Sequence, residues 1–547
     1  MTYQRPRLKS ALPRQVTLAP RRHPPQEHPG PRPVQGPGPP RAVPRDPTAI
    51  RARAATRTVA TKRRLQRRVI PLEVLQQPIQ AGVRKVFDLR QLLIVLALTG
   101  LVLALPRPAG LSPEGHRALA LFMFTGAILA LQPAPLPIAA LLVPVMRIAL
   151  GINTVNEAFA PFGSPVEFLI LGSLFLAEAL RKHGLTRRLA LHAIVLSGGQ
   201  FSLLLLGIMA ITGGLSMFVL NTATAAVLIP VAITIAQQVP HPEEGRRALK
   251  VLLLAIAYSA SLGAIATIMG SGENAIASGL LAQVQPMGFL DWMKYGLPVV
   301  LLLLPPVWLL LPRVFRLPPL RIDISPAVQE LQRLGRLSGP ERELVVVLLL
   351  SVTLWVGGAS FERMFRLPPT LLSSAVVAVG AVALLSIEEI VTWDDLKGVN
   401  WGVFFVIGAG LSLGDALNRT GASQWFAEIL GPTVSGLPYP AALAVIMAIA
   451  FAITQFINNV PLGAIFAPVL ITLAQATGMD PIRLVLPAIF TLALSFTLPS
   501  GSARMTLVAV TGALEGQETL RAGLVVGSVC LGMLYLFFLG LSTLGWI

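Results

Sequence analysis

Long apolar runs, each interrupted by only a few polar positions, fill this chain from residue 91 to its end. A helix needs about 20 apolar residues to cross a bilayer core. On that measure the runs predict crossings near 91–105, 117–132, 134–150 (short and irregular) and 165–181. The next run, 199–236, is interrupted in its middle by Leu220-Asn221-Thr222, which predicts two half-helices meeting at a polar tip. A broken helix over 250–282, with its break at 270–274, and a crossing near 293–312 follow. Further crossings are predicted near 342–358, 370–387 and 401–417. A second polar-tipped hairpin (440–475, tip 458–460), a second broken helix (482–512, break 499–504) and a last crossing at 522–545 complete the chain. The predicted fold class is an all-α polytopic membrane protein of about 11 transmembrane helices plus two re-entrant hairpins.

The second half of this pattern repeats the first. Phe218-Val219-Leu220-Asn221-Thr222, followed by Ala226 and Pro230-Val231, recurs 238 residues later as Phe456-Ile457-Asn458-Asn459-Val460, with Ala464 and Pro468-Val469. Glu178-Ala179-Leu180 and Gly184 recur as Asp415-Ala416-Leu417 and Gly421, and Gly270-Ser271 as Gly501-Ser502. The repeated unit is crossing, hairpin, broken crossing: 165–282 and 401–512. Three crossings separate the copies, and an odd number inverts the second. The hairpins then enter from opposite sides and their tips can meet near the midplane, as inverted-repeat carriers require.

Composition agrees. With 54% hydrophobic and 13% charged residues, the chain is too apolar for one soluble core. The formal charge of +18 is concentrated in residues 1–90, which hold 20 Lys/Arg and 4 Asp/Glu. Residues 1–50 are rich in Pro, Arg and Gln and cannot bury enough apolar surface to fold. Residues 51–86 are basic, a solvated topogenic arm or an amphipathic helix on anionic lipid. Without interleaved aromatics they do not point to nucleic acid. The arm, the Arg181–Arg188 loop, the Arg246-Arg247-Lys250 turn and the basic 313–342 loop fall on one side. By the positive-inside rule that side is cytoplasmic. The expected placement is a multi-pass protein of the cell (inner) membrane, N-terminus inside and C-terminus outside. The expected division is a basic arm (1–86), scaffold helices (87–150), a first transport repeat (151–312), a cytoplasmic loop (313–342), and a second repeat with the last helix (343–547). The single Cys530 excludes a disulfide framework and a cysteine metal site. No His-Glu-x-x-His, phosphate loop or recognisable aspartate pair is present, so no enzyme and no cofactor is expected.

Unwound backbone at membrane depth is tolerable only where protein buries it or a watery cavity receives it. The two tips and two breaks are therefore expected to face one cavity. Helix N-termini suit an anion, while backbone carbonyls and Ser/Thr hydroxyls can hold a dehydrated cation. Leu215-Ser216-Met217-Phe218-Val219-Leu220-Asn221-Thr222-Ala223-Thr224-Ala225-Ala226 and Gly263-Ala264-Ile265-Ala266-Thr267 resemble the divalent anion/sodium symporter family over roughly 90–547. The resemblance implies cation-coupled transport of a dicarboxylate or sulfate by alternating access, in a homodimer. It also implies that Asn221 and Thr222 bind substrate, and that Ser216, Asn221 and the backbone near Gly270 hold Na⁺. In the second half it implies a similar ion site at Thr454, the Ile457 carbonyl, Asn459 and Gly501, with Ser502 facing substrate alongside Asn458 and Asn459.

The chain also departs from the family text. Leu220 and Val460 replace a Ser and a Thr of the two Ser-Asn-Thr tips. Where Pro-Pro-Asn is usual after each break, Gly272-Glu273-Asn274 and Ala503-Arg504-Met505 stand. Glu273 and Arg504 occupy matching intramembrane positions, where charge is costly unless paired or functional. Arg504 is a candidate for the substrate anion or for a sodium substitute, and Glu273 for its counter-charge or a proton-coupling group. A plain Glu273–Arg504 ion pair is the structural alternative. Sodium/proton antiport and anion exchange remain as rival transport readings.

Overall fold

The computed structural model describes residues 87–547; the predicted basic arm, 1–86, lies outside the described residues. The first helices are α1 (Leu89–Ala104), α2 (Pro113–Leu131), α3 (Leu136–Ala149), the short α4 (Val155–Phe159) and α5 (Pro165–Lys182). Next come α6 (Leu185–Leu196), the hairpin arms α7 (Phe201–Ser216) and α8 (Asn221–Gln237), then α9 (Pro242–Ile265) and α10 (Gly272–Leu281). The middle holds α11 (Phe289–Val314), α12 (Ser325–Leu334), α13 (Gly339–Phe365), α14 (Ser374–Ile387) and the single-turn α15 (Trp393–Leu396). The second unit runs α16 (Trp401–Arg419), α17 (Ala422–Ser435), hairpin arms α18 (Tyr439–Thr454) and α19 (Asn459–Ala476), α20 (Pro481–Leu492) and α21 (Ala503–Val510), before α22 (Gly516–Thr543).

Seven helices are each long and apolar enough to cross a membrane, or eight if α5 and the segment Val155–Gly163, bent 45° from it, form one span. Among the seven is α19, which the sequence assigns to a hairpin. Its first residue, Asn459, is buried, so α19 begins inside the protein and not at an interface. The shorter apolar helices α1, α3 and α14 fall where crossings are predicted. Besides the short α4 and α15, three longer helices were not anticipated: α6, α12 and α17. The expected loop 313–342 thus contains a helix. It is tied down where the Arg188 guanidinium donates to both Glu341 carboxylate oxygens (2.8 and 3.0 Å) and to the Gly335 carbonyl (2.7 Å).

The packing repeats in both halves. Hairpin α7–α8 packs on α9, and hairpin α18–α19 packs on α20. Across the halves, α10 lies on α19 and α21 lies on α8. Helix α5 packs on α14, and α16 on α3. The close approach of α7 and α9 depends on Gly213 and Gly263: a Cβ at Gly263 would overlap the Gly213 backbone.

Asp415, near the end of α16, is partly exposed. It joins a network that runs from one buried arginine to an exposed one. Arg147 on α3, with no exposed surface, donates to Asp415 (2.6 Å), the Ser412 carbonyl (2.9 Å) and Asn153 (2.8 Å). Arg419 pairs with Asp415 (2.8 Å) and Glu157 (3.0 Å). Glu178, at the matching place on α5, pairs with the exposed Arg181. Removing one partner of a buried pair strands the other. Asp415→Ala, which leaves the fully buried Arg147 guanidinium without its carboxylate, is therefore expected to cost about 3 kcal/mol, read as a lowered unfolding transition of the detergent-solubilised protein. Arg181→Ala is expected to change it by less than about 1 kcal/mol.

Candidate functional site

Both tips and both breaks begin a little earlier in the chain than the sequence suggested. The first tip is 217–220, and Asn221 is already the first residue of α8. The second is 455–458, with Asn459 opening α19. The breaks span 266–271 and 493–502, each containing one 3₁₀ turn. Glu273 and Arg504 therefore sit in the first turns of α10 and α21, not in unwound chain. Ser271 and Ser502 are the residues before those helices, where an extended backbone precedes the first turn.

At the first tip, Asn221 is buried, and its side-chain oxygen accepts from the Thr222 hydroxyl (3.2 Å). Thr222 is half-buried. Ser216 is fully buried and its hydroxyl has no partner; the Thr224 hydroxyl shares that state. Gly270 lies so close that a Cβ there would meet the Ser216 carbonyl. Ser216, Asn221 and the Gly270 backbone are thus elements of one junction between hairpin and break.

The second junction is more fully bonded. The Thr454 hydroxyl proton is shared between Asn459 Oδ1 (3.0 Å) and the Leu492 carbonyl (2.9 Å). The Asn459 amide donates to Glu273 Oε1 (3.2 Å), which links the two halves. Asn458, half-buried, accepts from the Val460 amide (3.2 Å), and Ile457 lies half-buried in the tip. Gly501 approaches the Thr454 and Gln455 carbonyls, and the buried Ser502 hydroxyl accepts from the Met505 amide. Buried Arg504 donates through Nη2 to Ser495 (2.9 Å) and to the Ala493 carbonyl (3.2 Å), while its Nε has no partner. No Glu273–Arg504 ion pair forms among the described residues; each group is bonded elsewhere.

Several residues that hold this arrangement were not foreseen. Gln455 donates to the Phe451 and Leu494 carbonyls, and its oxygen accepts from the Phe496 and Thr497 amides and the Thr497 hydroxyl. Asn274 donates to the Ala264 and Thr267 carbonyls, and the Trp292 indole to the Ile265 carbonyl. Tyr258 donates to the Phe496 carbonyl (3.0 Å), and Ser261 donates to the Ala493 carbonyl. The available signal was the presence of single polar side chains in otherwise apolar runs beside the breaks. Glu167, at the start of α5, is fully buried with neither carboxylate oxygen bonded, and no motif had marked it.

A helical, multi-pass protein in which two hairpins, each with a buried Asn opening its second arm, meet two broken helices has the makeup of a secondary transporter. The profile of the family described as the sodium:sulfate symporter transmembrane region matches residues 87–546, and the chain belongs to that family. An uncharacterized transporter of Haemophilus influenzae is 28% identical over 438 residues, covering 78% of this chain and 93% of its own length. The sodium-dependent dicarboxylate transporter SdcS of Staphylococcus saprophyticus is 28% identical over 472 residues, covering 81% and 90%. The solved structure of Neisseria gonorrhoeae MtrF, reported with a class of antimetabolite efflux pumps, superposes with a TM-score of 0.50 at 14% identity, covering 82% of this chain and 93% of its own. The relatives are transporters, not enzymes.

Replacing Gln455 with Leu would strip a partner from two amides, a hydroxyl and one carbonyl at the second break. Gln455→Leu is expected to destabilise the protein by about 2–4 kcal/mol, measured as a lowered melting transition in detergent. A shift indistinguishable from that of an exposed Gln424→Leu control would contradict this account of the break.

Proposed function

We propose that the protein is a secondary active carrier moving a small divalent anion, a dicarboxylate or sulfate, across the inner membrane by cation symport and alternating access. The observation that carries this reading is a pair of unpartnered buried atoms of opposite character. Ser216 Oγ is an open buried oxygen on the residue whose carbonyl lies against Gly270, and with the buried Asn221 five residues on it is suited to a dehydrated sodium ion. Arg504 Nε is an open, charged donor beside Ser502, suited to an anion oxygen. Helices α8 and α10 begin without a side-chain cap, leaving N–H groups for the same anion. In this reading Asn221, Thr222, Asn458, Asn459, Ser502 and Arg504 line the anion site. The hairpins are re-entrant and related by inversion, and the family's dimeric assembly extends to this chain. The topology has eleven crossings, the N-terminus in the cytoplasm and the C-terminus outside. The family description and the name of the staphylococcal relative support both the sodium ion and the anion class.

The test is uptake of labelled succinate, citrate and sulfate into proteoliposomes under separately imposed Na⁺ and H⁺ gradients. Sodium-driven uptake of one of these anions is expected. Arg504→Lys, which loses the planar fork, is expected to reduce it at least about tenfold. Uptake driven by protons alone would move the coupling to a titrating group such as Glu273. Exchange without either gradient would replace symport, and no anion uptake under any condition would favour sodium/proton antiport. Removal of residues 1–86 is expected to leave uptake unchanged; its loss would give the basic arm a working role.

A further inference from the structure

We propose that this carrier takes one sodium ion per chain, at Ser216, Asn221 and Gly270, and that the Arg504 guanidinium stands as a built-in cation where the second half would otherwise hold another. The inference rests on the carrier reading above and deepens it. The two halves differ in where their broken helices end. Helix α9 runs to Ile265; in the register that aligns Gly270 with Gly501, α20 would run to Phe496 but stops at Leu492, about one turn earlier. Pro499 stands where the first half has Ile268 and lacks an amide proton, while the residue before it is extended in both halves, Thr267 (φ −137°, ψ 163°) and Leu498 (φ −116°, ψ 146°).

Stopping early releases carbonyls at a helix C-terminus, where partial negative charge gathers and a cation is favoured. Protein donors already serve them. Thr454 donates to the Leu492 carbonyl, Ser261 and Arg504 to that of Ala493, Gln455 to that of Leu494, and Tyr258 to that of Phe496. The formal positive charge among these donors is Arg504. The two side chains of the implied second ion site are bonded to protein groups, Thr454 donating to Asn459 Oδ1 and the Leu492 carbonyl, and the Asn459 amide donating to Glu273. Ser216 occupies the first-half position of Thr454, yet its hydroxyl is buried with no partner. One half is therefore built to receive an ion, and the other carries its charge covalently. A sodium ion added next to a buried guanidinium would also meet like-charge repulsion that low dielectric strengthens.

The experiment is sodium binding to the purified full-length protein, with choline replacing sodium at constant ionic strength. Radiolabelled ²²Na⁺ gives the stoichiometry, and sodium-dependent thermal stabilisation gives the titration curve. One sodium per chain and a Hill coefficient of about 1 are expected. Ser216→Ala is expected to raise the titration midpoint at least about tenfold. Arg504→Met, which removes the charge, is expected to add a second sodium phase. Two sodium ions per chain in the unaltered protein, an unchanged titration in Ser216→Ala, or a single phase in an Arg504→Met protein that melts cooperatively would each overturn the proposal. Absence of sodium binding would overturn it too, while proton-driven uptake would leave the carrier reading standing. One bound sodium without any anion uptake would do the reverse.

Discussion

The constraint on which the rest of this structure depends is that interrupted backbone deep in the membrane must find its hydrogen bonds inside the protein. Two hairpin tips and two helix breaks release amides and carbonyls that water would satisfy in a soluble fold. Here side chains do so. Asn274 and Trp292 serve the carbonyls of the first break, while Gln455, Tyr258, Ser261 and Arg504 serve the second. The polar residues scattered through the apolar runs are therefore mostly structural in the first instance. They hold open chain in one conformation, and that fixed chain is what could present N-termini and carbonyls to an ion or an anion.

Glycines set the distances at which this works. Gly296 on α11 lies against the Ile265 carbonyl and Ala266, and Gly523 on α22 lies against the Phe496 carbonyl and Thr497. Each broken helix is thus backed, at matching points, by a glycine of the helix that follows it. A side chain at either glycine would push its helix away from the break. Between the halves, Gly272 admits Val460, and Gly463 admits Glu273. These contacts bring α10 against α19 and put the Glu273 carboxylate within reach of the Asn459 amide.

Much of the fold was legible in the sequence. Apolar run length located the long helices, and duplicated Asn-containing text located both hairpins, because polar residues inside a span are too costly to occur by chance in register. The boundaries were less legible. Gly270–Asn274 looked like the break because glycine and polar residues cluster there, but the helix resumes at Gly272, with Ser271 before it. In the second half the regular helix ends at Leu492, well before the predicted break, and the early end shows only when the repeat register is laid beside the first half. Helices α6, α12 and α17 were missed because they are short and their sequences carry charged or mixed faces that do not read as spans. Arg147 was passed over as one charge within an oily run, since its partner Asp415 is 268 residues away.

The same constraint explains why the two halves, built from one repeated unit, need not do the same work. A buried polar atom without a partner is costly, so it persists where a bound group repays it or where the fold gives it no alternative. In the first half the open atom is a hydroxyl oxygen, Ser216 Oγ, and the break beside it is satisfied by neutral groups, Asn274 and Trp292. In the second half the open atom is a guanidinium nitrogen, Arg504 Nε, and the corresponding hydroxyl, that of Thr454, is already bonded. Exchanging an open oxygen for an open charged donor reverses the sign of what can be received. Duplication supplies two similar junctions; a helix that ends a turn early and an arginine bonded to a carbonyl it releases leave one junction with an open oxygen and the other with an open charged donor.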